Sequence, residues 1–276
     1  MTAPVVCPPP FTHTPTTMPA ELRSTSHGQT LVLTISNPDL RNALDPAIYA
    51  AGTEALHGAE RSAEVRSVVI TGADGVFSAG GNLQRLQANR NLGAAVQEES
   101  IEALHNWIET IRAYPKPVLA AIEGAAAGAG FSLALACDLI VASRSALFAL
   151  SYSQVGLSPD GGASWSLARA LPRPLATELL MCGERTSAER LHALGLVNRL
   201  AEPGGALTAA LELAQTLNER APNALGSIKE LLNEASQHTL NAHLDLERQH
   251  FVRNLHHANA GEGISAFLEK RKPQYR

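Results

Sequence analysis

Two glycine-rich turns, residues 77–83 and 124–130, carry the strongest chemical signal in this sequence. Each follows a predicted buried strand and leads into a helical pattern, so each directs unpaired backbone N–H groups at the space above it. Two such donors that converge on one oxygen form an oxyanion hole, which stabilises an enolate or a tetrahedral intermediate. Gly81 and Ala129 are the expected donors. Either turn alone could serve only to let the chain change direction, but two on consecutive units favour the chemical interpretation.

The elements around these turns alternate between strand and helix. Apolar, β-branched runs predict strands, and apolar residues at helical spacing predict helices. The strands are expected at residues 30–36, 66–71, 117–122 and 138–142, and the helices that accompany them at 46–60, 95–112 and 130–136. Because the strand–turn–helix unit occurs twice, the sequence predicts an α/β fold of stacked β-β-α units with parallel strands.

Three regions differ in composition. Residues 1–28 are rich in Pro, Thr and Ser, which predicts a disordered or extended N-terminal arm. Residues 29–202 contain the strand–turn–helix units and form the predicted core. Residues 203–276 are expected to be a helical region that packs back on the core or mediates assembly. From residue 163 onward, helices are expected at 163–170, 175–181, 187–194, 205–218, 223–236, 243–255 and 261–270.

Composition limits the partners and the cellular setting. The formal net charge of −4 provides no basic field for a nucleic acid backbone, so nucleic acid is an unlikely partner. Cys7, Cys137 and Cys182 are far apart and match no metal-ligand spacing, which fits a reduced cytoplasmic setting without a metal site. No apolar stretch is long enough to span a bilayer, and the first residues lack the features of a secretory signal. We expect a cytoplasmic protein that does not bind membranes.

Five motifs, taken in their order and spacing, give the chain a specific resemblance. They are residues 41–44, 77–83, 124–138, 156–162 and 267–271. Over residues 28–276 the chain resembles the enoyl-CoA hydratase/isomerase (crotonase) superfamily. The resemblance implies a spiral of β-β-α units with a C-terminal helical trimerisation region, assembled as a homotrimer or a dimer of trimers. It also implies an acyl-CoA thioester as substrate, with CoA arriving as part of the substrate and no separate cofactor.

The resemblance further implies roles for particular residues. The thioester oxygen would accept hydrogen bonds from Gly81 and Ala129. CoA-binding positions are matched by Arg41, Ala43, Ala79, Gly81, Asn82, Leu83, Phe267 and Lys270. The Ala79 carbonyl would hold the adenine amino group, and Phe267 and Lys270 would reach the CoA of a neighbouring subunit. For the last two, a plain amphipathic terminal helix is the alternative.

Two departures from the hydratase pattern bear on the chemistry. Where typical hydratases have two glutamates, this chain has Ser132 and Tyr152, which argues against syn-hydration by paired carboxylates. Together with Phe131, these two residues are expected to line the acyl pocket. Asp160 then remains as the acid/base, because in several members of the superfamily an acidic residue here moves protons between carbons. Burial in an apolar pocket would raise the pKa of this carboxyl and suit that role. The alternative is that Asp160 caps the helix near residue 161.

His105 supports a second hypothesis. In the aryl-CoA dehalogenase branch, a histidine at its position accompanies a nucleophilic aspartate at the position of Asp160, although that branch has Trp where this chain has Tyr152. A lone histidine on an amphipathic helix can equally be structural.

The pattern is closest to members that lack both hydratase glutamates, including ring isomerases and sequences like the alternative oxepin-CoA hydrolases. The main expectation is therefore C=C or ring isomerisation, or hydration, of an acyl-CoA. The alternatives are hydrolysis or dehalogenation through Asp160 and His105, and a non-catalytic module that binds acyl-CoA or RNA.

Overall fold

The computed structural model of the protein describes residues 20–276. Within that range it contains the strands β1 Glu21–His27, β2 Thr30–Ser36, β3 Ser67–Gly72, β4 Val118–Ile122, β5 Ala125–Ala127, β6 Leu139–Ser143, β7 Leu147–Ala149, β8 Thr186–Ser187 and β9 Arg199–Ala201. The helices are α1 Pro46–Glu60, α2 Leu83–Asn89, α3 Ala94–Ala113, α4 Ala129–Ala136, α5 Ala163–Ala170, α6 Arg173–Met181, α7 Ala188–Ala193, α8 Ala206–Asn218, α9 Pro222–Glu234, α10 Leu240–Leu255 and α11 Ala258–Leu268.

Six strands form the main sheet in the order β1-β2-β3-β4-β6-β9. Every neighbouring pair except β1–β2 is parallel, and the consecutive pairing of β2, β3, β4 and β6 stacks the strand–turn–helix units side by side. A second sheet has three strands in the order β5-β7-β8. β5 follows β4 after a short turn, so it carries the chain from the main sheet directly into the small one.

The main sheet is covered on both faces, as a parallel sheet requires. One face contributes residues such as Leu33 and Ile70 to a core that includes Trp107 of α3. The alternating residues Val69 and Leu119 point to the other face, where α8 packs against them. The small, apolar composition of the strands allows this double burial.

The end of the predicted N-terminal arm is an edge strand. Residues 21–27 of the proposed arm 1–28 form β1, an edge strand that pairs antiparallel with all of β2. Its polar side chains are exposed, so its composition resembles that of a loop although its backbone bonds belong to the sheet. The rest of the predicted arm, up to residue 19, lies outside the described residues.

The helical C-terminal region is tied to the core by polar contacts. Lys229 of α9 donates to the Asp138 carboxylate and to the Ile111 carbonyl, each at 2.8 Å. α10 and α11 carry large apolar side chains that are exposed in the single chain, such as Phe251 and Phe267. That pattern accords with an assembly role, which stays a prediction. Within residues 20–276, no helix combines the length and the apolar character needed to cross a bilayer.

Candidate active site

The two glycine-rich turns lie side by side. Ser78 forms a parallel bridge with Ala126, in which its backbone N–H donates to Ala125 at 2.9 Å and its carbonyl accepts from Ala127 at 2.9 Å. Gly81 lies three residues after Ser78, and Ala129 lies three residues after Ala126. The bridge therefore brings the two amides to corresponding points of adjacent segments.

Two glycines allow the turns to approach this closely. Gly80 has a φ of 92°, and a Cβ there would lie 2.5 Å from the carbonyl oxygen of Ala127. A Cβ on Gly130 would lie 2.7 Å from the Cβ of Ser78. Both contacts are too short for a side chain, so glycine is required where the segments meet and not only where the chain turns.

The amides of Gly81 and Ala129 are free to bind a ligand. Amides beside these two are already paired. The N–H of Leu44, which is bridged to Gly81, donates to the Gly80 carbonyl at 2.7 Å, and the N–H of Gly128 donates to the Ala149 carbonyl at 2.9 Å. Across the part of the chain that the structure describes, neither the Gly81 nor the Ala129 N–H donates to a protein acceptor. Ala129 is the first residue of α4, whose dipole adds positive potential at that end.

Both amides line a cavity of about 440 Å³. Its lining also contains Asp160, His105 and Tyr152, so the candidate donors and the candidate acid/base face one space. Apolar side chains form much of the remaining wall: Leu83, Leu86, Ile101, Val155 and Leu157. The result is a mostly apolar chamber with a few converging polar groups, which is the usual form of a small-molecule site.

Asp160 is held by a hydroxyl network and does not cap a helix. The Tyr152 hydroxyl donates to Asp160 Oδ1 at 2.6 Å, and Ser132 Oγ donates to the Asp160 backbone carbonyl at 2.9 Å. The two hydroxyls lie 3.3 Å apart. α5 begins at Ala163 without a side-chain cap, so the capping alternative is wrong. The backbone N–H of Asp160 itself also stabilises the ionised carboxyl.

Burial and charge set the protonation preferences of these groups. Burial raises the pKa of the Asp160 carboxyl above its usual value, while the Tyr152 hydrogen bond and the nearby His105 act in the opposite direction. Burial, followed by the charge of Asp160, raises the pKa of Tyr152 far above its usual value. Tyr152 therefore keeps its proton and remains a donor, while the raised pKa makes Asp160 a stronger base than an exposed carboxylate.

Two residues predicted to line the acyl pocket lie behind its wall. The Phe131 ring is buried against Phe148, with centroids 4.9 Å apart, because its helical position points into the core. Ser132 is fully buried and reaches the cavity only through its bonds to Tyr152 and Asp160. Of the three residues predicted for the acyl pocket, Tyr152 is in the lining of this cavity, whereas Phe131 and Ser132 are not.

The predicted CoA-binding residues divide into two groups. Ala79, Gly81 and Leu83 line the cavity. The remaining five lie outside its lining: Arg41, Ala43, Asn82, Phe267 and Lys270. Phe267 is 84% exposed at the end of α11, and so is accessible to another subunit. Their roles stay predictions.

The segment carrying Arg41 is attached directly to the first turn. The Ala79 N–H donates to the Arg41 carbonyl at 3.0 Å, and Ser78 Oγ donates to the Asn42 carbonyl at 2.8 Å. The buried Asn42 side chain donates to the Val76 carbonyl at 2.6 Å. These bonds keep Arg41 beside the turn. Asn82 serves locally, since its Oδ1 accepts the Arg85 N–H as the cap of α2.

Sequence reasoning missed several apolar wall residues. Ile101 lies one helical turn before His105 on α3, so its spacing carried a usable signal. Val155 ends the 3-10 turn Ser153–Val155, and Leu157 lies two residues beyond it. Neither belongs to a helix or strand whose apolar periodicity could have indicated it. Among residues 20–276, no group of three or more His, Cys, Asp or Glu side chains could hold a metal ion.

Comparisons with known proteins agree with this geometry. The sequence model of one family, enoyl-CoA hydratase/isomerase, matches residues 26–276. The chain is 35% identical over 246 residues to the 1,2-epoxyphenylacetyl-CoA isomerase of Escherichia coli K12, covering 89% of this chain and 94% of that protein. It is 33% identical to the 2,3-dehydroadipyl-CoA hydratase of the same organism, covering 93% of this chain and 99% of that protein. A crystal structure of an enoyl-CoA hydratase from Polaromonas sp. JS666 is similar with a TM-score of 0.92 at 70% identity, covering 92% of this chain and 99% of that one.

Proposed function

Because the chain belongs to the enoyl-CoA hydratase/isomerase family, we propose that it moves a proton within the acyl group of a CoA thioester, with Asp160 as acid/base. One observation carries the proposal: Gly81 and Ala129, whose amides have no protein acceptor within residues 20–276, line the same cavity as Asp160. The thioester oxygen would accept hydrogen bonds from both amides, and the acyl group would extend past Asp160.

The proposed reaction starts with proton removal. The Asp160 carboxylate takes a proton from a carbon conjugated with the thioester, and the electron pair moves onto the carbonyl oxygen to form an enolate. The two N–H donors stabilise the developing negative charge, an effect for which each donor typically contributes ~2.7–4 kcal/mol. Asp160 then returns its proton to a different carbon. The double bond has moved, and the carboxylate is regenerated without net loss of atoms.

Isomerisation is favoured over hydration by what surrounds Asp160. Hydration by the usual route needs a second carboxylate, but Ser132 and Tyr152 occupy the positions that the resemblance gives to the glutamates. Both hydroxyls instead bond Asp160, so the site contains a single positioned carboxylate. The similar proteins carry names for both isomerisation and hydration, so product analysis must decide between the two.

A second candidate function is hydrolysis or dehalogenation with Asp160 as nucleophile. The supporting observation is that His105 lines the same cavity and lies within electrostatic reach of Asp160. In this route a carboxylate oxygen displaces a group on the acyl moiety and forms an aspartyl ester, which water activated by His105 then hydrolyses. The isomerase route forms no such ester, so covalent trapping separates the two.

The test is a panel of CoA thioesters with Δ3-enoyl, Δ2-enoyl and aryl-acetyl groups, analysed in D2O by mass spectrometry. Isomerisation yields a product of unchanged composition, with deuterium where the proton exchanged, whereas hydration adds one water. Asp160→Asn should abolish turnover while the exposed control Glu98→Gln retains it. Unchanged turnover in Asp160→Asn would refute the acid/base assignment. Binding without turnover of any thioester would favour a non-catalytic module.

A further inference from the structure

A second cavity of about 600 Å³ shares one lining residue, His105, with the first. The chain passes from one to the other between Asp160 and Gly161. α3 forms a continuous wall, because Arg112 lies two helical turns beyond His105 on the same face, about 10.5 Å further along the axis. An acyl group that extends past Asp160 and His105 would reach this second space.

The lining of the second cavity contains one arginine, Arg112. The Arg112 guanidinium carbon lies 4.4 Å from the centroid of the Trp165 ring, and that of Arg169 lies 3.9 Å from it. Within residues 20–276, neither arginine has a carboxylate oxygen within 4.0 Å. The half-buried Arg112 donates to Asn233 Oδ1 at 2.9 Å, and the neighbouring carboxylate of Asp138 is already paired with a lysine.

Arg112 is therefore a fixed guanidinium without a direct carboxylate partner. Its stacking on Trp165 and its bond to Asn233 hold the planar group in place, which lowers the entropy lost when it binds a ligand. A guanidinium has five N–H donors in a geometry that matches a carboxylate. We propose that the second cavity binds the far end of the acyl group and selects acyl groups that end in a carboxylate, with Arg112 as their partner.

This inference rests on the proposed function, because it needs an acyl-CoA in the first cavity. A carboxylate fits better than an aromatic end, since two guanidinium groups already stack on Trp165. The one acidic side chain in the lining, Glu109, is exposed, so solvent screens its repulsion of a bound anion.

The experiment measures affinity, so it does not depend on turnover. Saturated CoA thioesters of six, eight and ten carbons are compared by calorimetric titration, each with either a terminal methyl or a terminal carboxylate. At one length at least, the carboxylate form should bind about tenfold or more tightly, as expected for a charge-assisted contact. Arg112→Gln should remove that preference and leave the methyl-terminated affinity within about twofold. The control is Arg169→Gln. Arg169 stacks on the Trp165 ring but lies outside the lining of the second cavity, so this variant should keep the preference for the carboxylate form.

The possible results separate the two proposals. Equal affinities at every length in the unmodified protein would overturn the carboxylate inference and leave acyl-CoA binding intact. A preference that survives Arg112→Gln, or a stronger preference for phenyl-terminated acyl groups, would also overturn it. If no thioester binds, the proposed function fails as well. Arg112→Lys serves if the glutamine variant unfolds: it keeps the charge but loses the planar fork, so the preference should shrink without vanishing.

Discussion

Removing the Tyr152 hydroxyl tests how the site tunes its carboxylate. In Tyr152→Phe, Asp160 loses the 2.6 Å hydrogen bond to Oδ1, which stabilises the ionised form. A hydrogen bond to a charged group contributes roughly 1.5–3 kcal/mol, and its loss raises the pKa of Asp160 further. Since burial already raises that pKa, the base form should be reached only at still higher pH.

The assay is the pH dependence of kcat/KM for the thioester that the panel identifies. The acidic limb should shift upward by about 1–2 units in Tyr152→Phe, with activity partly recovered at high pH. Tyr49→Phe is the matched control, because Tyr49 is also buried and within electrostatic reach of Asp160 but does not donate to it. An unmoved acidic limb in a folded Tyr152→Phe protein would refute the reasoning, as would an equal shift in the control.

The remaining predictions concern the turns and the buried charge. Ala129→Pro removes one proposed donor at a first helical position, where proline is tolerated, and should lower kcat about 10²–10³-fold; Ala129→Ser keeps the N–H and should not. The pKa of Asp160 is higher in the folded state than in the unfolded state. The stability that Asp160 contributes is therefore fully present below its unfolded-state pKa and is lost as the pH rises through its folded-state pKa. Asp160→Asn should therefore increase the free energy of unfolding at neutral pH, as measured by urea titration. This gain in stability should vanish below about pH 4, and a gain that is constant with pH would contradict the argument. Gly80→Ala forces a Cβ against the Ala127 carbonyl at a φ of 92° and should destabilise the fold by about 2 kcal/mol or more; wild-type stability would mean that the turns are not in close contact.

Much of the fold could be predicted because its signals are local. β2 and α1 begin and end as the sequence predicts, and Asp45 caps α1 with its side chain. The crotonase-type α/β fold and the family are confirmed by the similar structures and by the family match. β1 was missed because the edge of a sheet tolerates polar residues, which removes the hydrophobic alternation that predicts a strand.

The candidate site was only partly predictable, since much of it depends on contacts between distant segments. Asp160, His105 and the two amides could be proposed from motifs, and they do line one cavity. Phe131 was predicted to shape the acyl pocket. Its side chain points into the core instead, because successive helical residues face different directions.

The sequence by itself determined the chemical inventory: two glycine turns that leave amides free, one carboxylate, and hydroxyls where paired glutamates would be expected. It did so because backbone conformation and residue type are local properties. The tertiary structure alone decided that Tyr152 and Ser132 hold Asp160, and that Arg112 lies beyond His105 in a second cavity. Those relations depend on how α3, α4 and α5 pack against one another, and spacing along the chain does not give that packing.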